Sequence, residues 1–234
     1  MSGIARDVFI AGGTGYMGRR LIAQLLERGH RVRALVRPGS EGKLPAGCTA
    51  VVGNALDRTS YDNQVTGADT FVQLVGVAHP SPAKAAQFRA IDLVAAREAV
   101  AVAAHAAIRH FVYVSVAHPA PVMKAYIEVR RECEDMIRDS GLPATILRPW
   151  YVLGPGHRWP YALVPVYWLL ERFPATRDGA RRLGLVTLGQ MVAALLYAVE
   201  NPSLNVRIFD VQKIRASIDE SASARKPSRA KSLV

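Results

Sequence analysis

Short runs of β-branched and apolar residues alternate along this chain with longer stretches whose apolar positions recur every three or four residues. Val8-Phe9-Ile10-Ala11 is the first run and stops at Gly12. An unbroken apolar run of that length suits a strand buried on both faces. Beyond it, Met17, Leu21, Ile22, Leu25 and Leu26 share one helical face, with Arg19, Arg20 and Glu27 off it. Gly29 supplies the left-handed residue that ends a helix. Further strands are expected at 32–36, 50–52, 70–74, 111–115 and 145–147, and helices at 83–107 and 124–139, with a shorter helix after Ser60. This alternation predicts a parallel sheet with helices on both faces, linked by right-handed crossovers.

The pattern changes after Pro149. Residues 150–156 and 159–173 are rich in aromatics, Pro and Gly, a helical stretch follows at 190–200, and 206–211 reads as a last strand. The segment is too short for a core of its own. It is expected to be a substrate-facing or lid elaboration (149–205) on a single α/β domain of residues 1–212, a doubly wound Rossmann-type sheet. Residues 213–234 hold six basic and two acidic side chains and little to bury, so they are expected to be a disordered basic tail.

Composition agrees with a folded core: half of the 234 residues are hydrophobic and 21% are charged. The two cysteines, Cys48 and Cys133, lie far apart with no Cys-x-x-Cys spacing, which excludes a disulfide scaffold and a zinc ribbon and suits a reducing cytoplasm. Pro165 breaks the longest apolar stretch, and the N-terminus lacks the layout of a secretory signal, so a cytoplasmic protein with no membrane contact is expected. The charge balance is the unusual feature. Thirty basic residues, 24 of them arginine, against 19 acidic ones give +11. Such a balance suits nucleic acid, a membrane surface or a phosphorylated ligand. No recognition motif for nucleic acid is present, and the aromatics do not interleave with basic residues as stacking platforms would.

Residues 12–18 narrow the choice. They read G-G-T-G-Y-M-G, directly after a strand and directly before a helix. Gly12, Gly15 and Gly18 permit a tight turn, close approach of a pyrophosphate and close packing of helix on strand, and the helix N–H groups face the phosphates. Gly12, Gly13, Thr14, Gly15, Tyr16, Met17 and Gly18 are therefore the expected dinucleotide cradle. An NAD site carries an acidic residue about 20 positions on, at the end of the second strand. Here that place reads Val36-Arg37-Pro38-Gly39-Ser40. Arg37 suits a 2′-phosphate, so NADP(H) is expected over NAD(H). Arg19 and Arg20 are secondary phosphate candidates. Asn54 is expected to border the adenine, and Gly76 to face the cofactor beyond the fourth strand.

The glycine turn, the Ala-Leu-Val-Arg that follows it, Phe-Val-Tyr-Val-Ser at 111–115 and Ser-Gly-Leu-Pro-Ala-Thr-Ile-Leu-Arg-Pro at 140–149 together resemble the atypical short-chain dehydrogenase/reductases, in particular the NmrA-like NAD(P)-binding proteins. The likeness runs from about residue 7 to residue 211. It implies strand order 3-2-1-4-5-6-7, with a cofactor across the carboxyl ends of the strands. Active relatives use a Tyr-x-x-x-Lys pair with a Ser or Thr after strand five. Ser115, Tyr126 and Arg130 stand at those places, with arginine replacing the lysine. An arginine head is wide and planar, so the replacement is not a simple one. Many NmrA-like proteins lack a working set and bind the cofactor without reacting.

Two similar loops, Val77-Ala78-His79-Pro80-Ser81-Pro82 and Val116-Ala117-His118-Pro119-Ala120-Pro121, follow strands four and five. His79 and His118 are candidates to line the nicotinamide or shuttle a proton. Two histidines without a nearby carboxylate make no metal site. Trp150 and Trp159 head an aromatic segment that suits a lid over an apolar substrate or a docking face for another subunit or protein. Two classes of function follow. One is an NADP(H)-dependent oxidoreductase acting on a small apolar carbonyl or related group. The other is a non-catalytic NAD(P)H-binding regulator, redox sensor or assembly factor.

Overall fold

The computed structural model describes residues 4–120, 122–154 and 183–223. Six strands follow the expected order of appearance: β1 (Asp7–Ala11), β2 (Arg31–Val36), β3 (Thr49–Val52), β4 (Thr70–Gln73), β5 (His110–Val114) and β6 (Ala144–Leu147). β7 (Tyr151–Leu153) and β8 (Leu185–Thr187) form a separate parallel pair, and β9 (Arg207–Phe209) joins the main sheet beside β6. The resulting seven-stranded sheet runs β3-β2-β1-β4-β5-β6-β9, all pairs parallel. With β9 as its seventh strand, that is the order the resemblance implied.

Side chains of β1 alternate between the two faces, as the two-residue period of a strand requires. Phe9 and Ala11 enter a core with Phe71, Phe111, Val129, Cys133 and Ile137. Val8 and Ile10 enter the opposite core with Leu21, Ile22, Leu25, Met191 and Leu195. Phe9, Phe71 and Phe111 are in register on three adjacent strands, with successive ring centroids 5.2 and 5.4 Å apart. One face is covered by α2 (Val94–His105) and α3 (Lys124–Asp139), the other by α1 (Gly18–Glu27) and α4 (Leu188–Glu200). Ahead of α2 the helical run starts as Ala85–Gln87 and widens into a π-helical stretch, Phe88–Leu93. Among the described residues no helix is long and apolar enough to cross a membrane.

Three expectations change. The short helix after Ser60 is instead a pair of 3₁₀ turns, Arg58–Ser60 and Asp62–Gln64, that plug the core with Tyr61 and Val65. The 149–205 segment is not wholly an elaboration. Its helix α4, started by a capping box of Thr187 and Gln190, packs on α1 and the sheet as part of the second core. The expected tail begins as helix α5 (Val211–Ser223). Val211, Ile214 and Ser217 recur at three-residue spacing and are all buried, and Arg215 donates to the Leu185 carbonyl. Three small contacts on one stripe are enough because α4 offers an apolar face, a condition invisible in the tail's own composition.

Ile214→Ala is therefore expected to cost about 2–5 kcal/mol, the usual range for emptying a buried aliphatic site. Urea unfolding measures this; a change within about 0.5 kcal/mol, as for an exposed surface position, would show the helix undocked.

Candidate functional site

The turn after β1 is built around close backbone approach. Gly12 has φ of +90°, and a Cβ there would lie 2.9 Å from the Leu74 carbonyl carbon. At Gly18 a Cβ would strike the Gly12 carbonyl oxygen and the Gly13 Cα. Only glycines let the first turn of α1 sit directly on the turn that precedes it. Gly15 N–H donates to the Gly12 carbonyl at 3.0 Å, Thr14, Tyr16 and Met17 are half-buried around it, and Gly13 is buried. No side chain caps α1, and its first turn carries no acidic residue, so its N-terminal end is compatible with an anion. The cradle fits a dinucleotide pyrophosphate.

At the carboxyl end of β2, Arg37 is exposed; its carbonyl accepts from Ser40 N–H at 3.0 Å, and its guanidinium has no partner among the described residues. Arg20 instead donates to the Tyr16 carbonyl at 3.0 Å and lies 5.0 Å over the Tyr16 ring, which holds the cradle's outer edge. Asn54 is exposed. Its side-chain oxygen accepts from Leu56 N–H at 3.0 Å, leaving the amide nitrogen as its outward donor.

Beyond β4 and β5 the structure rearranges the expected catalytic set. Tyr126 and Arg130 are together: the guanidinium lies 5.0 Å over the Tyr126 ring, which also packs on Phe88. Arg130, however, is buried and committed. It donates to Asp92 at 2.5 Å, to the Val114 carbonyl at 2.9 Å and to Tyr113 Oη at 3.0 Å. A buried guanidinium must find acceptors, and these absorb the head that was expected to act as the family's lysine. Burial pushes the Tyr126 phenol up, and the nearby Arg130 charge only partly offsets that. Tyr126 is thus a neutral phenol at pH 7.

Ser115 belongs to a different cluster. Its hydroxyl is buried and donates to Glu134 Oε1 at 2.6 Å. Glu134 also accepts from Arg148, at 2.9 Å through Nε and again through the terminal nitrogen, and from Arg138 at 3.0 Å. His118 Nε2 lies 3.5 Å from the same carboxylate. Burial alone would raise the Glu134 carboxyl, but the hydrogen bonds from Arg148 and Ser115 outweigh it and hold Glu134 below the usual range. His118 is pushed below the ordinary histidine value by burial and then by Arg148, against the pull of Glu134. His79 is exposed, with φ of 52°, and its carbonyl accepts from Lys84. Trp150 is half-buried, edge-on to Tyr151 and against the core of α1 and α4. Trp159 lies outside the described residues.

Asp92, Tyr113, Glu134 and Arg148 were not singled out by the sequence reading. A signal existed for one of them: Glu134 falls on the same stripe of α3 as Ile127, Arg130 and Ile137, where a surface helix keeps apolar residues. Charged residues at such positions imply buried partners elsewhere.

The family model described as NAD(P)H-binding matches residues 12–160. The ceramide reductase of Caulobacter vibrioides is 27% identical over 211 residues, 88% of this chain and 65% of that protein. The 4-hydroxy-2-methyl-3-oxo-4-farnesyl-3,4-dihydroquinoline-1-oxide ketoreductase of Stigmatella aurantiaca is 26% identical over 168 residues, 62% of this chain and 50% of that protein. The chain thus spans between half and two thirds of these relatives' lengths. Among solved structures, the Bordetella bronchiseptica enzyme WbmH in complex with NAD⁺ superposes with a TM-score of 0.66 at 21% identity, covering 95% of this chain and 84% of that one; this likeness is one of fold.

The Glu134 cluster has a stability signature. A carboxylate whose pKa is depressed by folding stabilises the native state above its unfolded pKa, and that contribution is lost as pH falls through the folded value. Glu134→Gln is expected to be less stable than the parent at pH 7, with the gap closing as pH falls below the usual glutamate value of 4.5. Urea midpoints across pH 3 to 7, a span of about four units chosen to bracket that titration, check this; a constant gap would contradict it.

Proposed function

The chain belongs to the NAD(P)H-binding family and is similar to proteins named as reductases, and from that premise we propose that it is an NADP(H)-dependent oxidoreductase acting on a small apolar carbonyl or related group. The observation that carries the cofactor choice is Arg37, an exposed cation without a described partner where NAD-specific sites place a carboxylate. In this reading the N-terminal end of α1 holds the pyrophosphate, Arg37 the 2′-phosphate, Asn54 borders the adenine, and Gly76 lies along the nicotinamide half. When bound, the nicotinamide supplies or accepts a hydride.

Tyr126 is the proton donor that best fits the reduction. Its phenol keeps its proton at neutral pH, and Arg130 over its ring steadies the negative charge left when Oη gives that proton to the substrate oxygen. Solvent then returns the proton to Oη. Ser115, held by Glu134, and His118, whose Nε2 lies 3.5 Å from the same carboxylate, shape the wall beyond β5, and Trp150 offers apolar surface beside it. The relatives support carbonyl chemistry, being named as reductases of ceramide and of a farnesyl-bearing dihydroquinoline oxide.

A second reading has its own observation. Arg130 and Ser115 are both consumed by internal partners, which favours a protein that binds NAD(P)H without turning it over, as a regulator, redox sensor or assembly factor.

Arg37→Ala is expected to weaken NADPH binding by about 1.5–3 kcal/mol, on the order of 10- to 100-fold in Kd, and NADH binding by less than about twofold. Equal binding of both nucleotides, unchanged by the substitution, would remove the NADP assignment. Tyr126→Phe is expected to lower kcat with a panel of apolar aldehydes and ketones by about 100-fold or more while leaving the NADPH Kd in place. No turnover by the parent protein with saturating NADPH would decide for the second reading.

A further inference from the structure

The lysine of the family's Tyr-x-x-x-Lys pair is an arginine here, and the contacts of Arg130 point to a different task. Its head donates to the carbonyl of Val114, the last residue of β5, and to Tyr113 Oη on the same strand. Its other terminal nitrogen pairs with Asp92 Oδ1 at 2.5 Å. The second Asp92 oxygen accepts the backbone N–H of Val77 at 2.9 Å, just beyond β4. One buried ion pair therefore joins the carboxyl ends of two adjacent strands. Gly76 lies against it so closely that a Cβ would come within 2.5 Å of Arg130 Nη2 and 3.0 Å of Asp92 Oδ1.

Asp92 reaches this position from the π-helical stretch Phe88–Leu93, and such interruptions of an α-helix are frequent at functional sites. Direction along the sheet says which part of the ligand is concerned. The strand order reverses between β1 and β4. The pyrophosphate site follows β1 and the adenosine half extends over β2, so the nicotinamide half must extend over β4 and β5.

We infer that Asp92 and Arg130 are positioning residues, a buried brace that fixes the ends of β4 and β5 at the separation the nicotinamide half of the dinucleotide requires. The inference rests on the dinucleotide reading above. It also explains the arginine: the compact ammonium of a lysine does not present the planar fork that holds Asp92, Val114 and Tyr113 together.

The test separates the two halves of the ligand. Kd values for NADPH, NADH and adenosine 2′,5′-bisphosphate are measured by calorimetry on the full chain, below the melting temperature of each variant. Asp92→Asn keeps the volume and an acceptor for Val77 but removes the charge. Arg130→Lys keeps the charge but not the fork. Tyr113→Phe removes one acceptor and is the mildest. Expected is a loss of about tenfold in dinucleotide affinity for the first two and about threefold for the third, with the bisphosphate within about twofold of the parent. An equal loss of fragment and dinucleotide would mean general loosening and overturn the brace. So would unchanged dinucleotide binding, or an Arg130→Lys variant that binds as tightly as the parent, the result for a direct stand-in for the family's lysine. If the parent binds neither dinucleotide, the cofactor reading falls and the brace with it; if the parent binds and the variants match it, the brace alone falls.

Discussion

Helix α3 carries a buried arginine and a buried glutamate one turn apart, Arg130 and Glu134, and each pairs with groups on other elements. Removing a charge from water costs several kcal/mol unless partners surround it. That requirement ties three strand ends to one helix. Through Asp92, Arg130 holds the chain leaving β4, and directly it holds the end of β5. Glu134 holds Ser115 after β5 and Arg148 after β6. The carboxyl edge of the sheet, where ligands of doubly wound folds bind, is thereby built from charge satisfaction as much as from apolar packing.

The apolar packing supplies the frame on which those charges act. Phe9, Phe71 and Phe111 fill one face in register across β1, β4 and β5, under α2 and α3. Leu21, Ile22 and Leu25 fill the other with Met191 and Leu195 of α4. With both faces covered, the strands have no freedom to slide, because a one-residue slip would exchange the two cores. The glycine turn inherits this rigidity. Gly12 lies against Leu74 of the β4 exit and Gly18 against Gly12, so the cradle is held by strands on both sides of the point where the sheet order reverses.

The excess of arginine takes on a different meaning in this setting. Arg130 and Arg148 serve buried carboxylates, Arg28 pairs with Glu200, and Arg33 pairs with Asp7. These four arginines are therefore structural. Arg37, exposed at the end of β2, is a described cation whose position points to a ligand. The internal pairs cancel, so the net charge of +11 is carried by basic side chains outside them, Arg37 among them.

What the sequence determined by itself was local. Apolar runs, helical periodicity and the G-G-T-G-Y-M-G turn specify β1 through β6, helices α1 to α3 and the glycine turn, because each depends on neighbours within one element or one turn. The tertiary structure decided the rest. Whether Ser115 faces a substrate or Glu134, whether Arg130 acts like the family's lysine or braces Asp92, and whether the chain after Val211 has a surface to dock on all depend on residues 15 to 40 or so positions away that meet only across the fold. The spacing of Tyr126 and Arg130 places them on one face of a helix. It carries no information about which acceptors that face meets, and a buried guanidinium goes to the acceptors it meets.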